Sequence, residues 1–190
     1  KIFDDKRLSE LQLKALRSQM NPHFVFNSLA AIQYYINEND FEASEMYLVK
    51  FSKLVRQFFE LSKENEISLR AETTLLKNYL EIEKLRFKEK LNFQINIDNS
   101  LDIQNTTIPT MILQPIIENA INHGIFNKID EGEVVVNFKS ENNHTIIVEI
   151  IDDGVGFVNT KKRQNENIKS SHVLKDRLHY LNNSRKWKIS

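Results

Sequence analysis

The sequence predicts an α+β protein: a long antiparallel helical hairpin, followed by an α/β sandwich with helices on one face of a mixed sheet. Three observations predict it. Residues 4–64 repeat apolar side chains near the helical period on either side of one polar turn. Beyond residue 69 the pattern becomes mixed, and Phe93, Ile95 and Ile97 alternate with polar residues as a half-buried strand does. Two further runs, Val134–Phe138 and Thr145–Ile151, read as strands joined by Ser140-Glu141-Asn142-Asn143.

In the first helix Leu8, Leu11, Leu13, Leu16 and Met20 recur near the helical spacing. Pro22 interrupts them, since a proline inside a helix loses one backbone hydrogen bond, at ~3 kcal/mol, and disfavours helical geometry at Asn21. The pattern resumes through Ala31, Ile32, Tyr35 and Ile36, so a kink is expected rather than a stop. Asn37–Asp40 is a polar turn, and a second helix follows with Met46, Val49, Leu54, Val55, Phe58 and Leu61 on its apolar side. Such a hairpin exposes an apolar stripe with nothing to cover it. A twofold partner completing a four-helix bundle is the simple remedy, so a homodimer through these helices is expected.

Residues 65–68 form a polar junction, which divides the chain into a helical unit, 1–66, and a second unit, 67–190. Residues 69–88 suit a helix anchored by Leu69, Leu75, Leu76, Leu80 and Leu85. Thr107-Ile108-Pro109 is expected to introduce an apolar helix over roughly 109–123. Residues 158–171 are polar enough to read as a loop, and 172–182 as a short helix.

Composition narrows the chemistry. The 190 residues are 41% hydrophobic and 27% charged, enough for a folded core without staples. Lys plus Arg is 26 and Asp plus Glu is 26, so the balance speaks against nucleic-acid binding by bulk electrostatics. The absence of cysteine excludes disulfides, thiolate metal sites and cysteine nucleophiles. No stretch of apolar residues in these 190 is long enough to span a bilayer, and a signal peptide is not expected among them. The chain opens at Lys1 without a Met and closes on Lys188-Ile189-Ser190, the opening of a strand, so it reads as a fragment of something longer.

Three segments carry candidate chemistry. Asp152-Asp153-Gly154-Val155-Gly156 follows a strand. An acid at a strand end with two glycines lets backbone approach a ligand closely, and the acid accepts from an exocyclic amine; Asp-Asp-Gly is equally a good turn. In Gln114–Gly124 the polar Glu118, Asn119, Asn122 and His123 interrupt an apolar helix at neighbouring positions. An Asn carbonyl suits Mg²⁺ bridged to phosphates, and the alternative is a solvated helix face with Gly124 as its C-cap. In Gln19–Asn27, His23 follows the disfavoured proline and Asn27 lies four residues on, so both project from one face. A neutral imidazole is a competent nucleophile.

Together these segments resemble the LytS-type sensor histidine kinases. Asn21–Asn27 matches that family's Asn-Pro-His-Phe-x-Phe-Asn hallmark, residues 111–124 resemble its N box, and Asp152–Gly156 resembles its G1 box. Leu80-Glu81-Ile82-Glu83-Lys84-Leu85-Arg86-Phe87 fits a further recurrent stretch. The resemblance implies that the second unit is a GHKL-type ATP-binding domain, incomplete at its C-terminus. It implies His23 as the phosphoacceptor and Asn119 as the ligand of the Mg²⁺ that bridges the phosphates of ATP. Asp152 would read the adenine amine, with Gly154 and Gly156 opening the lid that Phe157–Ser171 forms over the nucleotide, and with Asn122 and His123 beside the phosphates. Asn27 would either orient water for dephosphorylation of the partner or only cap or hydrogen-bond within the bundle; the partner would be a response regulator, in this family often of LytTR type. Glu118 is the candidate base by its nearness to Asn119. The chain would be the cytoplasmic part of a bacterial inner-membrane protein, tied to the membrane only by a segment outside it and not itself contacting nucleic acid.

The sequence also departs from the family. Asn122 stands where it often has Lys, and its second glycine box is absent from residues 168–178, so weak ATP binding is expected, with Kd well above ~1 μM. Two other readings compete. An ATP-hydrolysing relative would carry Glu one turn before Asn119, where this chain has Pro115. A degenerate pseudokinase acting as a dimeric signalling module is favoured by the missing glycines and opposed by the intact His23, Asn119 and Asp152.

Overall fold

The computed structural model describes residues 22–142 and 145–156. The expected helix before Pro22, and with it the kink, lies outside the described residues, as do the loop of 158–171 and the helix of 172–182. Helix α1 (Pro22–Asn37) and helix α2 (Phe41–Leu61) are joined by a tight turn in which Asn39 takes a left-handed φ of 59°. Asp40 caps α2 by accepting from the Ala43 amide at 3.0 Å. Phe24 meets Phe51, with ring centroids 6.0 Å apart, and one turn on Ser28 meets the Tyr47 hydroxyl at 3.4 Å. The two helices therefore run antiparallel.

The polar junction forms strand β1 (Glu66–Ser68). Ser68 then caps helix α3 (Leu69–Phe87) by accepting from the Ala71 amide at 3.2 Å. A 3-10 turn, Lys88–Lys90, leads into strand β2 (Leu91–Ile97). Strand β3 (Thr107–Pro109) pairs antiparallel with β1. Helix α4 (Gln114–Asn119) continues as a π-helical turn, Ala120–Ile125, before strands β4 (Gly132–Asn142) and β5 (Thr145–Asp152). The sheet runs β2-β4-β5, with β2 parallel and β5 antiparallel to β4, so it is mixed as expected. Val134, Val136 and Phe138 of β4 are buried on the helix side. The other face is mixed, with Gln94 donating to Glu133 at 2.7 Å and Lys139 paired to Glu149 at 2.6 Å beside the exposed Ile147 and Ile151.

Two expectations are corrected. Residues 107–109 form a strand, and the helix begins only at Gln114. The intervening backbone is drawn elsewhere: Thr110 donates its hydroxyl to the Glu64 carbonyl at 2.7 Å, and Met111 adopts a φ of 55°. The carboxylate of Glu72, buried on α3, accepts the amides of Met111 at 3.2 Å and Leu113 at 3.4 Å. The hairpin's apolar side, in turn, has a cover within the chain. Phe24 packs on Tyr79 of α3 with centroids 5.1 Å apart, the Tyr35 hydroxyl donates to the Leu85 carbonyl at 2.8 Å, and Lys50 pairs with Glu81 at 2.6 Å. A second apolar face stays exposed, with Phe26 at 70%, Phe41 at 64% and Val49 at 60%.

Candidate functional site

The structure divides the candidate residues into two groups. His23 is exposed in the first described turn of α1, and Asn27 is half-buried one turn later. The Asn27 amide nitrogen lies 3.1 Å from His23 Nδ1, so the shared face expected from their spacing is realised as a hydrogen bond.

The second group collects at the end of α4 and the end of β5. Glu118 and Asn119 close α4, both half-buried. The continuous α-helical face expected through His123 is replaced by the π-turn, in which the Phe126 amide reaches back to the Ile121 carbonyl at 2.9 Å. A π-turn adds a residue to the helical ring and re-aims the side chains beyond it. Asn122 and His123, half-buried, thus lie on the wider turn, their carbonyls accepting from the Asn127 side-chain Nδ2 at 3.4 Å and 3.0 Å. Gly124 is no C-cap: it is buried within the π-turn.

Its neighbour explains the glycine. A Cβ on Gly154 would lie 2.3 Å from the Gly124 Cα, and a Cβ on Gly124 would lie 2.6 Å from Asp152 Oδ1. The two segments therefore approach backbone to backbone, which only residues without side chains permit. The Val155 amide donates to the Gly124 carbonyl at 3.3 Å. Asp152, exposed at the end of β5, accepts the Gly154 amide at 3.1 Å. Asp153 has a different task. It pairs with Lys128 at 2.7 Å and accepts the Glu133 amide at 2.8 Å, and the Lys128 ammonium holds its carboxyl below the usual range. Gly156, at φ +68° with open space around it, serves backbone conformation. No group of three acids or histidines able to hold a metal by themselves occurs among the described residues.

Sequence reasoning misses the work of Glu83 and Arg86, whose positions in a polar stretch of helix carry no sign of burial. Glu83 is 1% exposed, and Arg86 donates to its Oε1 at 3.2 Å. Burial, tempered by Arg86 and reinforced by the charge of Glu118, pushes Glu83 up to about 7. Burial likewise raises the Tyr47 hydroxyl to about 12 and Tyr79 well above the ordinary range. Since Glu83 holds its proton more tightly folded than unfolded, its ionisation removes stability as pH rises from 4.5 to about 7. The full effect is about 3 kcal/mol. Glu83→Gln should therefore match the parent near pH 5 and melt higher than it at pH 8. Thermal unfolding at both values tests this, and a variant gaining nothing between them would refute it.

With that geometry in hand, comparison with known proteins identifies the class. The family model for histidine kinases matches residues 11–91. The chain is 34% identical to the sensor protein LytS of Oceanobacillus iheyensis over 153 residues, 80% of this chain and 25% of that protein. It is 34% identical to the sensor histidine kinase YpdA of Escherichia coli over 149 residues, 78% of this chain and 26% of that protein. The sensor histidine kinase/phosphatase LytS of Staphylococcus aureus is 29% identical over 156 residues, 82% of this chain and 26% of that protein. Residues 11–91 thus carry the histidine kinase pattern, and about four-fifths of the chain is similar to LytS-type sensors. It spans about a quarter of the length of these relatives.

Proposed function

We propose that this chain is the kinase part of a two-component sensor. In this reading α1 and α2 form the dimerisation and phosphoacceptor unit, 1–66, and residues 67–190 form a GHKL-type ATP-binding unit. His23 takes the γ-phosphoryl group of ATP and passes it to the aspartate of a response regulator, of LytTR type by family habit. The observation that carries the reading is the backbone contact of Gly124 with Gly154, which joins the segment bearing Asn119 to the segment bearing Asp152. Phosphoryl transfer needs positioning and charge neutralisation more than covalent work by the protein. Asp152 is exposed and held in place by the Gly154 amide, as an acceptor for the adenine amine needs to be.

The donor set fits Mg²⁺, which takes few protein oxygens and fills its shell from phosphates and water. Asn119, half-buried at the junction of α4 with the π-turn, would hold it, and the ion would neutralise phosphate charge. Asn127 fixes the backbone of Asn122 and His123 beside it. Glu118 accepts from the Gln114 amide at 2.8 Å, an arrangement that supports a positioning task better than proton abstraction. On α1, the hydrogen bond from Asn27 orients the His23 ring and leaves an amide close by to direct water in the reverse reaction. That the Staphylococcus aureus relative is named a kinase/phosphatase supports this second task. Incubation with γ-labelled ATP and Mg²⁺ tests the reading: acid-labile label on the chain is expected, and acid-stable label or none would defeat it.

We further propose a homodimer through the exposed face of α1 and α2. Phe26, Leu29, Phe41 and Val49 lie open there, and their burial at ~25 cal/mol per Å² drives association. Val49→Glu, on an exposed position, should give monomers by light scattering without lowering the melting temperature of the monomer fold. A dimer undisturbed by that charge would place the interface elsewhere. No helix among the described residues is long and apolar enough to cross a membrane. Attachment to a bacterial inner membrane, with this part on the cytoplasmic side, would run through a segment outside the chain.

A further inference from the structure

The stretch Leu80–Phe87 closes α3 against both other parts of the site. Arg86 lies there between the phosphoacceptor helix and the π-turn. Its guanidinium is held from one side by Glu83, with Nη2 to Oε2 at 3.0 Å, and its Cζ stacks 4.1 Å from the centroid of the Phe87 ring. The Phe87 ring in turn meets Phe126, just past the π-turn, at 5.8 Å between centroids. A guanidinium carries five donors, more than one carboxylate uses.

Arg86 also lines a cavity of about 660 Å³. Asn27 and Ala31 of α1 form one wall, Arg86 and Lys88 at the end of α3 another, and Phe126 a third. The other basic side chains there are already directed to the protein. Lys88, held at a left-handed φ of 53°, places its ammonium 5.3 Å and 5.5 Å from the ring centroids of Tyr34 and Tyr35. Lys90 donates to the Lys128 carbonyl at 3.0 Å. Arg86 thus pairs a fixed orientation with spare donors, in the cavity lined by the residue that hydrogen-bonds His23. The N-box segment carries Asn122 rather than a cation.

We propose that Arg86 is a catalytic residue of the transfer, its guanidinium meeting the phosphoryl group in this cavity as the group passes from ATP to His23. In that step the lone pair of one imidazole nitrogen bonds to the γ-phosphorus and the other ring nitrogen keeps its hydrogen. The bond from phosphorus to the bridging oxygen breaks, and its electron pair leaves on ADP. Arg86 balances the charge spread over the phosphoryl oxygens, a task that a planar fork performs well. Glu83 is the positioning residue. Its ionisation near pH 7 leaves the guanidinium only partly neutralised by its partner. The inference rests on the kinase reading above, and its test separates the two.

The test compares initial rates of acid-labile labelling in the parent and in Arg86→Gln, alongside titration with a non-hydrolysable ATP analogue and Mg²⁺. Loss of one such charged donor lowers the rate about 100-fold, with analogue affinity and the KM for ATP within twofold of the parent. Arg86→Lys recovers part of the rate, because it restores charge without the fork. If Arg86→Gln unfolds, the double variant Glu83→Gln, Arg86→Gln leaves a neutral amide pair and carries the same expectation. Equal labelling of the parent and the glutamine variant overturns the role of Arg86 and leaves the kinase reading intact. A parallel loss of analogue affinity also overturns it, by making Arg86 a structural or nucleotide-binding residue. A parent that takes no label fails the kinase reading first, and this inference with it.

Discussion

His23→Gln is expected to abolish acid-labile labelling while leaving the affinity for an ATP analogue within about twofold of the parent. The nitrogen that would accept the phosphoryl group is gone, and of its described neighbours Phe24 is buried in the core and Asn27 offers only an amide. Glutamine keeps the polarity and much of the length of the imidazole, and His23 is exposed, so the fold should tolerate the change. The residues proposed to bind nucleotide sit on α4, the π-turn and β5, whereas His23 sits on α1. Label that persisted on the variant would move the acceptor to another residue. A matched loss of nucleotide affinity would mean that the two groups of the site are one.

The second large effect is expected at Gly154. Alanine there would set its Cβ 2.3 Å from the Cα and 2.4 Å from the carbonyl carbon of Gly124, and 2.7 Å from Asp152 Oδ1. Backbone cannot step aside as the tip of a side chain can, so the N-box and G1 segments must part. Overpacking of this kind costs typically 1–3 kcal/mol, and here the cost falls on the contact that aligns Asn119 with Asp152. Analogue affinity should drop at least tenfold, which corresponds to about 1.4 kcal/mol. Gly156→Ala is the natural comparison. Its Cβ meets nothing, but its φ of +68° strains an L residue, at roughly 1–2 kcal/mol, with little bearing on the contact. Titration of both variants decides the matter, and Gly154→Ala binding as tightly as the parent would remove the contact from the site.

Much of this was legible in the sequence, and the exceptions share a cause. Helix α3, both long strands and the turn at Asn37–Asp40 arise from local periodicity and turn chemistry. The Asn-Pro-His and Asp-Asp-Gly segments announced themselves by unusual residues in fixed order. The features that escaped are those that distant residues decide. Nothing local in Thr107–Thr110 tells that Glu72, some forty positions earlier, takes the amides of Met111 and Leu113 and delays the helix. The π-turn likewise carries Gly124 against the distant Gly154, and periodicity has no mark for it. Glu83 and Arg86 read as ordinary helix charges. Only the packing of α1, α2 and α4 around α3 makes one a buried acid and the other a cavity wall.

The clasp of Glu72 has a consequence for cooperativity. Helix α4 has six residues, too few to persist alone when nucleation is so unfavourable. Its entry is fixed by a carboxylate on the first turn of α3, and the π-turn that follows it ends at Phe126, packed on the Phe87 ring at the last turn of α3. Thermodynamically α4 is subordinate to α3: any locally opened state that melts α3 has no α4, whereas α4 can fray while α3 stays closed. The segment proposed to hold the metal and phosphates is thus strung between the two ends of α3.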